Sequence, residues 1–249
     1  MTSYTTRVDY VSRRHNEFKK RTDLFSASDK PRVLILGDSY SEDLVNMIFE
    51  NNLLPDADIR VRYIPARCQI YRESEDISVF IAETNRALCA KAVPAFYAGL
   101  QTFVEKADIV IFAASWKEWS AERLPATLRN FGIQPETRVV VVGRKNFGDV
   151  QRKRYLDWSL AEKLALRNEV SADHLKINTL MQQNLQGAGV EFIDLHTLVC
   201  GENATACPVF TPEGKLISYD GGHLTQAGAT WIGSLLKGHS VFANSAPTP

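Results

Sequence analysis

From Pro31 onward the chain alternates short apolar, β-branched runs with longer segments of helical period. The runs are RVLIL (Arg32 to Leu36), DIRVRYI (Asp58 to Ile64), DIVIFAA (Asp108 to Ala114), RVVVVG (Arg138 to Gly143) and VEFIDL (Val190 to Leu195). Between them the 3.6-residue period predicts helices over Ser41 to Asn51, Ile77 to Lys106 with a break near Pro94, Ala121 to Asn130, Asp157 to Leu166, Ala172 to Gln186 and Thr225 to Leu236. Strands this apolar are covered on both faces, and strands separated by helices run parallel through right-handed crossovers. The pattern therefore predicts a single-domain, three-layer α/β/α fold around a five-stranded parallel sheet.

The two ends read differently. Residues 1–30 mix charge and polarity with few apolar anchors and are expected to be a solvated arm or helix, leaving 31–238 as the domain and 239–249 as a loose tail. The segment CPVFTPEGKLISYD ahead of the last helix reads as a hairpin turning at Pro212-Glu213-Gly214. At 249 residues and 45% hydrophobic the chain can bury a full core as one domain. Acidic and basic residues balance at 29 each, so no global field draws it to nucleic acid. No run is long and apolar enough to cross a membrane, and the polar, basic start does not resemble an export signal, which favours the cytoplasm. Cys68, Cys89, Cys200 and Cys207 pull the other way, because two locally spaced pairs suit an oxidising compartment; four free thiols are the alternative. Their spacing is too wide for a zinc knuckle, so neither a metal nor a cofactor is expected.

In an open parallel sheet, ligands bind beyond the carboxyl ends of the strands. The first such junction reads GDSYSED, which leaves Ser39 near a helix N-terminus, where backbone amides favour a developing oxyanion. The same serine could simply cap that helix. The glycine fingerprint of a dinucleotide site is absent there. Before the last helix stands SYDGGHLTQAGA, whose spacing lets Asp220 orient one imidazole nitrogen of His223 while the other faces a nucleophile. Alone, that loop could equally be a turn with an ordinary polar histidine.

Together, GDS after the first strand and Asp-x-x-His-Leu-Thr before the last helix resemble the SGNH (GDSL) hydrolase superfamily, with its SGNH/flavodoxin-like sheet. The stretch from Cys200 through YDGGHLTQAGA resembles, more narrowly, the SGNH domains fused to bacterial membrane O-acyltransferases of the O-antigen acetylase type. The resemblance implies Ser39 as nucleophile, His223 as general base and acid, and Asp220 as its orienter. It implies a carbohydrate O-acyl, chiefly O-acetyl, esterase or acyltransferase acting on a small-molecule or polysaccharide ester, with a membrane O-acyltransferase as partner and a periplasmic setting. It further implies links between Cys68 and Cys89 and between Cys200 and Cys207. Where the superfamily places oxyanion-donating Gly and Asn, this chain has IPARCQ and AASWKEW. Ser115, the Ser39 amide, or an amide near Ala66 or Trp116 is then expected to donate, and Trp116 or Trp119 to stack on a sugar. His174 and His196 are read as structural, and Asn203-Ala-Thr205 as a glycosylation acceptor without an export signal to use it. A general lipase or thioesterase, and a non-catalytic carbohydrate-binding module, are the rival readings.

Overall fold

The central sheet has five parallel strands in the order β2-β1-β3-β4-β6. These are β1 (Arg32–Gly37), β2 (Asp58–Tyr63), β3 (Ile109–Ala113), β4 (Arg138–Val142) and β6 (Val190–Ile193), the five apolar runs of the sequence. A small antiparallel pair, β5 (Arg167–Glu169) with β7 (Ala206–Pro208), lies outside it. The computed structural model describes residues 3–151, 155–202 and 204–243. Asn203, and with it the glycosylation motif, lies outside that set, as do residues 244–249 of the expected tail.

Alternation along β1 builds two cores. Val33 and Ile35 join one face, Leu34 and Leu36 the other. The first face is covered by α1 (Ser3–Lys19), α2 (Ser39–Glu50), α9 (Leu195–Cys200) and α10 (Gln226–Leu236) through Phe18, Leu44, Ile48, Val199 and Ile232. The second is covered by α3 (Glu83–Tyr97), α4 (Leu100–Lys106), α6 (Leu124–Asn130) and α8 (Ala172–Leu185) through Phe96, Phe103, Leu128 and Met181. Two short helices, α5 (Glu118–Glu122) and α7 (Leu160–Ala165), complete the set. The sheet order reverses at β1 and β3, so the crevice that suits a ligand opens at their carboxyl ends.

Three expectations change. The break in the long helical segment falls at Gly99, which adopts φ 65°, and not at Pro94, which sits inside α3. The N-terminal arm is a helix packed on α2: Val11 and Phe18 are buried, Asn46 Nδ2 donates to the Tyr10 and Val11 carbonyls, and Arg14 pairs with Glu50 at 2.5 Å. The two apolar anchors, Val11 and Phe18, suffice because α2 meets the helix with polar partners as well, which no apolar count registers. At the other end, Val241 and Phe242 are buried in the first core, so chain expected to be loose is part of the domain.

His15 on α1 is buried against Ser41, with Nε2 3.2 Å from its Oγ, and His174 is buried on α8. Burial, reinforced by Lys19 for His15 and by Arg144 and His196 for His174, pushes both down to about 3. In the unfolded chain they protonate near pH 6.5. Between these values only the unfolded state binds the protons, so stability is complete above about pH 6.5 and is lost as pH falls toward 3. Urea unfolding across pH 7 to 4 should show each histidine contributing a slope of about 1.4 kcal/mol per pH unit, and His15→Gln should flatten it by one such share.

Candidate active site

At the end of β1 the backbone runs so close to β3 that a Cβ on Gly37 would stand 1.8 Å from the Ala113 carbonyl oxygen. Glycine is thus required for the chain to turn straight from strand to helix. Asp38 caps α2: its Oδ1 accepts the Tyr40 N–H at 2.9 Å, and its Oδ2 accepts both the N–H and the O–H of Ser115 at 2.8 Å. Burial pushes the Asp38 carboxyl up, and the Tyr40 and Ser115 hydrogen bonds oppose that shift. The carboxylate therefore sews the first junction to the third. Half-buried Ser39 opens the helix, in the turn whose amides have no intrahelical partners. Its neighbours Tyr40 and Ser41 give their N–H groups to the Asp38 side chain and carbonyl, respectively.

The second element is the loop from Ser218 to Leu224, which pair as an isolated antiparallel bridge. His223 Nδ1 lies 3.0 Å from Asp220 Oδ2 and 3.3 Å from Oδ1, and Oδ1 also accepts the N–H groups of Gly222 and His223. Partial burial would raise the Asp220 carboxyl, but the side-chain and backbone hydrogen bonds from His223 outweigh it and hold the group well below the usual carboxylate range. With Nδ1 turned to the carboxylate, Nε2 is the nitrogen left to meet a substrate or a nucleophile.

These two elements are joined by an ion pair. Asp43, one helical turn after Ser39, accepts the Leu224 N–H on Oδ1 at 3.1 Å and the Lys145 ammonium on Oδ2 at 2.7 Å. Lys145, from the segment after β4, also donates to the Gly222 carbonyl at 2.7 Å and lies 3.6 Å from the centre of the Tyr40 ring; Tyr40 Oη donates to the Lys145 carbonyl at 2.9 Å. Lys145 and Asp43 are 1% and 0% exposed. The next residues close the grip: Phe147 N–H donates to the Gly221 carbonyl, and a Cβ on Gly221, at φ 88°, would stand 2.1 Å from the Gly148 carbonyl oxygen. The loop carrying Asp220 and His223 is thereby fixed against the first turns of the helix that begins with Ser39.

Two expected site residues stand elsewhere in the chemistry. Ser115 spends both donors on Asp38, so it is not poised toward an oxyanion. Trp116 is fully buried, with Nε1 donating to the Val142 carbonyl, and cannot stack on a ligand. Trp119 is packed too, stacked on Phe80 at 5.2 Å and edge-on to Tyr71. The second and third junctions are tied by buried Gln69, at φ 58°, which donates to the Ala66 carbonyl and accepts from Lys117 N–H and Ser120 Oγ. Cys68 is bonded to Cys89 and Cys200 to Cys207, with Cα separations of 5.2 and 4.7 Å. His196 Nδ1 lies 3.4 Å from Cys207 Sγ; among the described residues this is the cluster with metal-ligand chemistry, and both its sulfurs are committed to the disulfide. Asp38, Asp43, Gln69 and Lys145 escape sequence reading because their partners lie far along the chain; Lys145 and Asp43 are 102 residues apart.

With that geometry in view, comparison with known proteins decides the family. The model of the SGNH domain found fused to AT3 domains matches residues 9–238. The chain belongs to this SGNH family. No curated protein matches it. Among solved structures it is similar to the periplasmic domain of a lipopolysaccharide acetyltransferase from Salmonella ser. Paratyphi A, at 15% identity and a TM-score of 0.60, over 94% of this chain and 98% of that one. It also matches a candidate acylhydrolase of Bacteroides fragilis, at 12% identity, TM-score 0.48 and 95% of both chains. An aryl esterase of M. smegmatis follows at 15% identity and TM-score 0.41, over 83% of this chain and 96% of that one. At these identities the likeness is one of fold. The AT3 fusion that defines the SGNH family links it to membrane acyltransferase domains; among the described residues no single helix here is long and apolar enough to cross a membrane.

Removing one partner of a buried ion pair leaves an uncompensated charge, at a cost of about 3–5 kcal/mol. Lys145→Met should lower the urea-unfolding free energy by that order. The double variant Lys145→Met/Asp43→Leu should recover part of it, since the isolated charge is then gone.

Proposed function

We propose that this chain is a serine-dependent carbohydrate O-acyl esterase or O-acyltransferase, handling acetyl groups through an acyl-serine. The observation that carries the reading is the Asp220–His223 pair at 3.0 Å on a loop that Asp43 and Lys145 bind to the helix opened by Ser39. Membership of a family fused to AT3 domains, and the fold shared with a lipopolysaccharide acetyltransferase domain, support a sugar-borne acyl ester over a lipid one.

The steps follow from the donors and acceptors present. Ser39 Oγ attacks the ester carbonyl carbon as its proton passes to His223 Nε2, and the imidazolium is stabilised by Asp220. The tetrahedral oxyanion is met by the Ser39 N–H at the positive end of α2. Collapse breaks the ester C–O bond, the departing alkoxide takes the proton from His223, and the acyl group remains on Ser39. Water or a sugar hydroxyl then gives its proton to His223 and attacks the acyl carbon; the proton returns to Ser39 Oγ as the product leaves.

Incubation with p-nitrophenyl acetate followed by intact-mass measurement should show one acetyl adduct on the wild type and none on Ser39→Ala. Equal turnover by both proteins would overturn the reading. Asp220→Asn, which keeps the shape and removes the charge that steadies the imidazolium, should lower kcat by about four orders of magnitude with its folding intact by circular dichroism.

A further inference from the structure

We infer that the open groove between α10 and the hairpin ahead of the Asp220–His223 loop is a binding subsite for a neutral glycan chain, which it delivers to that loop. The inference rests on the carbohydrate-ester reading and extends it to a place on the surface. The groove is a shallow, open depression of about 800 Å³, a volume inside the range of roughly 300–1,000 Å³ in which small-molecule sites fall. Its floor is α10, from which Gln226, Thr230, Trp231 and Ser234 line it, and its wall is the hairpin segment from Lys215 to Tyr219.

Three features select a sugar. First, Trp231 and Tyr219 supply aromatic faces, and Trp231 remains partly exposed although it borders the core. Aromatic rings offer a flat apolar surface with a polar edge, which suits the C–H face of a pyranose and its hydroxyl rim. Second, the polar lining is of hydroxyl and amide type, with one acid, Glu213, and one base, Lys215, so no net charge favours an anionic or cationic ligand. Third, the groove is open to solvent, which admits a hydrated sugar where an acyl tail would need an enclosed apolar channel.

Its position supplies the occupant's purpose. Tyr219 is the residue before Asp220, and its N–H donates to the His223 carbonyl at 2.9 Å. Thr225, at the other end of that loop, caps α10 and holds the Leu216 carbonyl through Oγ1. A chain lying in the groove is therefore bounded by both stems of the loop that carries His223. The groove takes no part in the reacting bonds; its residues position the substrate.

The test separates binding from chemistry. Short neutral oligomers of glucose, galactose, mannose and rhamnose are titrated calorimetrically into the Ser39→Ala chain, and the same titration is repeated with Trp231→Ala and with Ser234→Trp added. Ser234 is exposed on α10, so the tryptophan fills the groove without removing a core contact. At least one oligomer should bind, and each added change should weaken it by about tenfold, the equivalent of ~1.4 kcal/mol. In the Ser39 background, both changes should raise KM for an O-acetylated oligomer by about tenfold. Absence of binding by every oligomer, or undiminished binding by Ser234→Trp, overturns the subsite. Binding that Ser234→Trp abolishes, in a protein whose wild type forms no acyl adduct, supports the subsite and sinks the esterase reading instead.

Discussion

The buried pair of Lys145 and Asp43 is the constraint on which the site depends, because it is where three separate stretches of chain are made to agree. Asp43 belongs to the helix after β1, Lys145 to the segment after β4, and the Gly222 carbonyl and Leu224 N–H they bind belong to the loop before α10. An ion pair with almost no exposure is not a cheap source of stability, since desolvating two charges offsets most of their attraction. What it supplies is direction. Lys145 Nζ binds both Asp43 Oδ2 and the Gly222 carbonyl, and Asp43 Oδ1 binds the Leu224 N–H, so a loop shifted by one residue would leave buried groups of the pair without these partners.

The same logic governs Asp38. Its carboxylate is buried and takes two donors from Ser115 and one from Tyr40, so β1 and β3 end in a fixed relation just where the sheet order reverses. The Gly37 backbone lies against Ala113 in a space that no Cβ can enter. The backbone around Ser39 is thus held from behind by the sheet and from the side by the Lys145 pair. Positioning groups are spent on the neighbours of the serine rather than on the serine.

This division explains what could be read from the sequence. The five strands are legible because each is an unbroken β-branched run, and burial on both faces leaves no other way to satisfy Val139 to Val142 or Leu34 to Leu36. Asp220 and His223 are legible because only two glycines separate them and the hydrogen bond is local. The Lys145–Asp43 pair is not, since nothing in GRKNFG or SYSEDL distinguishes a buried partner from a solvated charge until the fold brings them together. Trp116 misleads for a related reason: its place after β3 suggests the rim, but its indole N–H has a strand carbonyl to bind, and the ring turns inward to the core. The arm at the N-terminus is missed because α2 receives it with Asn46, Glu50 and Ser41, polar residues that count as surface in any pattern of apolar positions.

The commitment of Ser115 to Asp38 also bears on the kind of catalyst proposed. A missing oxyanion donor costs two to three orders of magnitude in rate, and it penalises a small free ester in full, because such a substrate brings no other binding energy. A polymer held along α10 is different. Contacts remote from the reacting carbon can be used to hold the ester against Ser39, and fixing the reactants in place recovers far more than one hydrogen bond contributes. On the proposed reading, with the Ser39 amide as donor and the groove along α10 as a glycan subsite, the site would be biased toward esters and acceptors that are already bound. That bias distinguishes an enzyme working on an extended glycan from a general esterase with the same three side chains.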